Sequence, residues 1–83
     1  MSLHLGLAMK IEAGMDRLDA AREAMGSAEQ ALKEGDLEGA IADYSKAIEL
    51  DAKDAQAFNN RGGVKDRNGD TQGALADYGT AID

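Results

Sequence analysis

Nine residues in the stretch 35–48 return 34 positions later: Gly35, Asp36, Gly39, Ala40, Ala42, Asp43, Tyr44, Ala47 and Ile48 recur as Gly69, Asp70, Gly73, Ala74, Ala76, Asp77, Tyr78, Ala81 and Ile82. Self-similarity at a fixed period constrains a chain more than composition does. Each copy must be one supersecondary unit, and it buries its apolar face only against the next copy.

The elements between the copies read as helices. The chain has no proline or tryptophan, one phenylalanine and two tyrosines, while alanine, glutamate, lysine and leucine abound. Few side chains are branched at Cβ or aromatic, which favours helix over strand. Gly35 supplies a left-handed helix stop and Asp36 a cap for the next helix, predicted over residues 37–50. Leu37, Ala40, Ile41, Tyr44, Ala47 and Ile48, with Leu50 at the end, follow the three-and-four spacing of one helical face. Residues 51–54 form a polar connection, a third helix follows over 55–67, residues 68–70 turn, and a fourth helix starts at Thr71 and runs to the last residue. The predicted fold class is all-α, with antiparallel helix-turn-helix units joined by short turns.

Residues 3–34 carry no turn cluster. Ile11, Leu18, Met25 and Leu32 recur every seven residues, Leu7, Gly14, Ala21 and Ala28 form a second row, and Met15 thickens the stripe. Apolar residues so spaced share a face, and the small ones admit a second helix closely. The favoured reading is one long N-terminal helix, about 45 Å at 1.5 Å per residue. Two others stay open: a hairpin broken near residues 19–22, and a later start at Ser27, where Ser27 and Gln30 fit a capping box behind Gly26.

Sixteen acidic residues against nine basic ones leave a net charge of −7. Such a surface repels phosphate backbones and anionic membranes and draws in basic partners, so neither nucleic acid nor a membrane is expected as partner. No apolar run approaches the roughly 18–20 residues that span a bilayer, and the start of the chain is too short for a secretory signal. A cytoplasmic location is expected. With no cysteine and one histidine, His4, the chain has no thiolate site and cannot build a zinc site unaided. Ser2, Ser27 and Ser45 have no base near them in the helical arrangement. Gly62, Gly63, Val64 and Lys65 lack the remaining glycines and the Ser or Thr of a phosphate loop. Asp66, Asn68, Asp70 and Asp77 approach calcium-loop spacing. However, Thr71 stands where that loop needs glycine, Gly73 where it needs an apolar residue, and residues 74–77 must be helical. No catalytic residue, metal or cofactor is therefore expected, and the chain is read as no enzyme.

From Ala21 onward the chain resembles the tetratricopeptide repeat, a helix-turn-helix unit of 34 residues. The resemblance rests on Gly35 and Asp36 at the turn, Ala40 and Ala47 at small-residue positions, Tyr44 as the large packing residue, and their second copies Gly69, Asp70, Ala74, Ala81 and Tyr78. It implies a single domain, with an N-terminal helical extension over residues 1–20, a first repeat over 21–54 and a shortened second repeat over 55–83. The first helices depart from the pattern. Phe58 and Gly62 match it, but Arg61 and Lys65 replace a leucine and a second aromatic, and in the first unit Ala24, Ser27, Ala28 and Ala31 take those places. Ala52 stands where a proline often ends the unit.

The resemblance further implies an α-solenoid whose first helices line a concave groove for an extended or helical peptide. Carried over residue by residue, the groove face holds Gln56, Asn59, Asn60, Gly63, Asp66 and Arg67 from the second unit, and Arg22, Met25, Glu29, Leu32 and Lys33 from the first. One variety of the family grips a terminal carboxylate with Lys, Arg and Asn. Asn60 matches one such place, but Met25 and Glu29 stand where a Lys and an Asn are needed, and Glu29 would repel a carboxylate. Tyr44 and Tyr78 read as packing residues. A glycine inside a helix costs about 1 kcal/mol relative to Ala, so the adjacent pair at 62 and 63 needs a reason. Close helix contact supplies it for Gly62. Gly63 either leaves bare backbone for a partner to approach or reflects drift at a tolerant surface site.

Units of this kind need neighbours to cover them. Leu75, Tyr78 and Ile82 on the last helix, and the seam through Leu18 and Met25, are expected to stay partly uncovered, which predicts self-association as a C2 homodimer; the alternative cover is the next repeat of a longer array. The expected function is a non-enzymatic protein–protein interaction module, an adaptor or scaffold for a protein or peptide of basic character. The rival is a structural homo-oligomerisation unit whose long helix and repeats pair chains and leave no groove free.

Overall fold

The structure is a computed structural model and describes residues 16–82. They form four helices: α1 (Asp16–Lys33), α2 (Leu37–Leu50), α3 (Ala55–Arg67) and α4 (Thr71–Ile82). Each helix packs on its neighbour in sequence. The result is two helical hairpins, α1/α2 and α3/α4, laid side by side with α2 against α3, an all-α helical repeat without strands among the described residues. No described helix is long and apolar enough to cross a membrane.

The repeated Gly-Asp pair builds both hairpin turns in the same way. Gly35 and Gly69 take φ of +77° and +88°, the left-handed region where only glycine is unstrained. The Gly35 N–H donates to the Leu32 carbonyl at 3.0 Å and the Asp36 N–H to that of Ala31 at 2.8 Å. Gly69 and Asp70 repeat this on Asp66 and Lys65 at 3.1 and 2.8 Å. These are the paired bonds of a Schellman stop, and they satisfy carbonyls the helix leaves open. Each aspartate then caps the following helix: Asp36 accepts from the Gly39 N–H and Asp70 from the Gly73 N–H, both at 2.9 Å. A Cβ on Gly39 or Gly73 would collide with that carboxylate, which explains why both glycines recur. The connection at 51–54 is built differently, with Asp54 capping α3 through the Gln56 and Ala57 N–H groups at 3.0 and 3.3 Å.

The core is made largely of alanine. Ala28 and Ala31 of α1, Ala40 and Tyr44 of α2 and Val64 of α3 form one buried cluster; Ala24, Ala47 and Ala57 form a second across the same three helices. Small side chains let the helix backbones approach, and among the described residues Tyr44 is the one large side chain buried almost completely.

Within α1 the structure corrects the seven-residue stripe. The buried row is Ala21, Ala24, Ala28 and Ala31, while Met25 and Leu32 lie half-buried at its edges and Leu18 is 62% exposed. Alanines that bring the backbones together leave the bulky residues to flank the contact. The helix is continuous through residues 19–22, and Ser27 does not start a helix: it lies inside α1, and its hydroxyl donates to Asp43 Oδ2 at 2.8 Å. The positions expected for Leu7, Ile11, Gly14 and Met15, and the helix expected before residue 16, lie outside the described residues.

Candidate functional site

The two first helices, α1 and α3, run side by side, and a cleft of about 500 Å³ opens between them. Glu29 and Leu32 line it from α1, and Asn59, Asn60, Gly63, Val64 and Arg67 from α3. Tyr44 of α2 and Tyr78 of α4 reach it from behind. The adjacent glycines do separate jobs here. Gly62 is buried against α4, where a Cβ would stand 2.9 Å from the Tyr78 ring and 3.2 Å from the Ala74 carbonyl oxygen. Gly63 turns to the cleft. A Cβ there would meet only the Tyr78 hydroxyl, at an ordinary 3.6 Å, so the space above the backbone is open.

Tyr44 is only 2% exposed. Its hydroxyl has no hydrogen-bond partner among the described residues, yet no buried side-chain polar atom there is orphaned. The hydroxyl therefore keeps part of the small exposure that remains, and the residue lines the cleft. Burial, followed by the nearby Glu29 carboxylate, pushes the phenol pKa upward, so the group is a neutral donor and acceptor across the ordinary pH range. Glu29 and Arg67 are exposed and, among the described residues, form no ion pair.

Of the groove residues expected from the sequence, Glu29, Leu32, Asn59, Asn60, Gly63 and Arg67 come together on this cleft. Gln56 and Asp66 are exposed on α3 outside its lining, as are Arg22 and Lys33 on α1. Met25 packs against both apolar clusters instead. Leu18, Leu75 and Ile82, named for self-association, are exposed, Leu75 by 65% and Ile82 by 85%, whereas Tyr78 is half-buried with its hydroxyl towards the cleft.

Behind the cleft lies a polar network that the sequence reading missed. Asp77 is 4% exposed and accepts from Arg61 Nε and Nη2, both at 2.8 Å, and from Lys65 Nζ at 3.2 Å. Arg61 Nη1 donates to Ser45 Oγ at 3.0 Å, and the guanidinium carbon stands 5.5 Å from the centre of the Phe58 ring. Arg61 and Lys65, which replace the usual leucine and aromatic, thus bind α3 to α4 and α2 by charge rather than by apolar packing. Burial pushes the Asp77 carboxyl upward, but hydrogen bonds and charges from Arg61 and Lys65 outweigh it and hold the group below the usual carboxylate range. The signal was present in the sequence: Asp43 and Asp77 are repeat equivalents, as are Ser27 and Arg61, and each pair bonds across its own hairpin.

Comparison with curated proteins and with solved structures gave no match. The family profile described as TPR repeat matches residues 28–69, just over half of the chain, from within α1 through the turn at Gly69. That match covers the end of α1, the first Gly-Asp turn and all of α2 and α3, and the chain belongs to the tetratricopeptide-repeat family.

Proposed function

We propose that the chain is a non-catalytic protein-interaction module that takes an extended peptide segment of a partner protein into the cleft between α1 and α3. Tetratricopeptide repeats suggest protein–protein interaction in general. The observation that carries the specific reading is the cleft's floor: it is bare over Gly63 and lined by Tyr44, whose hydroxyl has no partner among the described residues. Around it stand the Asn59 and Asn60 amides, which have no hydrogen-bond partner among the described residues. An amide offers a donor and an acceptor together, the pair a peptide backbone needs. The volume lies within the roughly 300–1,000 Å³ of ligand clefts.

A random dodecapeptide library, selected on the wild-type chain and counter-selected on Gly63→Leu, tests this. The leucine fills the floor, so selected peptides should lose about tenfold or more in affinity for that variant, roughly 1.4 kcal/mol. Equal enrichment on the two chains overturns the reading. A second reading, homo-oligomerisation, has its own observation: Leu75 and Ile82 stand exposed on α4, and Phe58, Ala81 and Ile82 line a separate hollow at the end of the α3/α4 hairpin. On that reading the wild type is a dimer by light scattering and Ile82→Glu a monomer; a monomeric wild type removes it.

A further inference from the structure

We infer that the cleft reads a cationic side chain: the partner peptide places a lysine or arginine over Gly63, with Glu29 as counter-ion and the Tyr44 hydroxyl as neutral acceptor. This inference rests on the peptide-binding reading above.

Three observations converge on it. Glu29 and Gly63 are repeat equivalents, and both line the cleft, one from α1 and one from α3. The α1 position carries a carboxylate and its α3 equivalent carries no side chain. A cation entering beside Gly63 finds a carboxylate that forms no ion pair among the described residues. The second observation is Tyr44, a cleft-lining side chain buried by more than nine-tenths whose partly exposed hydroxyl has no partner among the described residues. An ammonium or guanidinium brings several donors in one group, enough to satisfy a phenol oxygen and a carboxylate together. Third, the net charge of −7 draws cationic partners towards the surface before contact.

Arg67, on the α3 wall, argues for the opposite ligand charge. A carboxylate entering the cleft would pair with Arg67 but would do so beside Glu29. The two polarities therefore make opposite demands on the same residues. For a cationic ligand, Glu29→Gln weakens binding and Arg67→Gln leaves it equal or tighter; for an anionic ligand the two variants exchange roles. Both residues are exposed, so neither change endangers the fold. Tyr44→Phe keeps the packed ring and removes only the hydroxyl.

The test uses the peptides selected above. Their consensus should carry a lysine or arginine at one position. Replacing that residue with norleucine should weaken binding to the wild type about tenfold and binding to Glu29→Gln by much less, the signature of a direct pair. Tyr44→Phe should weaken the basic peptide more than its norleucine version. A consensus without a basic residue, Glu29→Gln binding as tightly as wild type, or Arg67→Gln being the variant that loses affinity would each overturn the inference while leaving the peptide cleft intact. Absence of any peptide that discriminates wild type from Gly63→Leu removes both.

Discussion

Truncating Asp77 to alanine removes the acceptor from the buried network and strands two cations. Arg61 loses both of its 2.8 Å bonds to the carboxylate and Lys65 its 3.2 Å contact. Breaking one partner of a fully buried pair costs about 3–5 kcal/mol because a charge is left uncompensated. Here the stranded charges are not fully enclosed, and Arg61 keeps Ser45 and the face of Phe58, so the expected cost is about 2–4 kcal/mol. Against a total of about 4–12 kcal/mol for a domain of this length, that is a large share. The internal control is the equivalent pair in the first hairpin. Ser27 and Asp43 share one exposed hydrogen bond, and Asp43→Ala should cost under about 1 kcal/mol. Replacing both partners, as in Arg61→Leu with Asp77→Ala, should cost little more than Asp77→Ala alone, because no guanidinium is then stranded. Urea unfolding followed by circular dichroism gives all the required values by linear extrapolation. Asp77→Ala as mild as Asp43→Ala, or a strictly additive double variant, would refute the assignment of α3–α4 cohesion to this network.

Three further predictions follow from the same structure. The Asp77 pKa is held low in the folded state, so its contribution is complete above the unfolded value of about 3.9 and is lost as pH falls from there through the folded pKa. The stability gap between wild type and Asp77→Asn should therefore narrow below about pH 4, and a gap that stays constant from neutral to acid pH contradicts this. Gly63→Ala should raise stability by about 0.5–1 kcal/mol through helix propensity, while Gly62→Ala should lower it by about 1–3 kcal/mol because its methyl meets the Tyr78 ring and the Ala74 carbonyl; similar melting temperatures for the two variants would refute the division of roles. Burial and then Glu29 raise the Tyr44 pKa, so an ultraviolet titration should show a phenol ionising above the usual value of about 10. Its folding contribution is intact below that pH and is lost as pH rises through the folded pKa. Tyr44→Phe removes that phenol with little change in stability at neutral pH, since the hydroxyl bonds to nothing among the described residues.

The architecture was legible because the residues that recur are the ones that set backbone geometry. Gly35 and Gly69 must take positive φ, Asp36 and Asp70 must cap, and Ala40 and Ala74 must let helices meet. Spacing alone carries that information. The helices that line the cleft were harder to read. In α1 the bulky residues Leu18, Met25 and Leu32 drew the eye, although the buried contacts belong to alanines, whose periodicity is weak on any hydropathy scale. The Arg61–Asp77 bond was invisible to patterns of apolar spacing because it replaces apolar contacts, and it joins residues on different helices. Tyr44 was recognised as a packing residue from its stripe. That the same residue also lines the cleft depends on how α1 and α3 sit over α2, which no spacing encodes.

The central claim is that the space above Gly63 is where a partner's chain lies. A nuclear Overhauser experiment on the labelled wild-type chain with a selected peptide tests it directly. A peptide seated in the cleft should give intermolecular contacts to the Gly63 α-protons and to the Tyr44 and Tyr78 rings, all lost in Gly63→Leu. Contacts confined to Leu75 and Ile82 on α4, with none at Gly63, would contradict it.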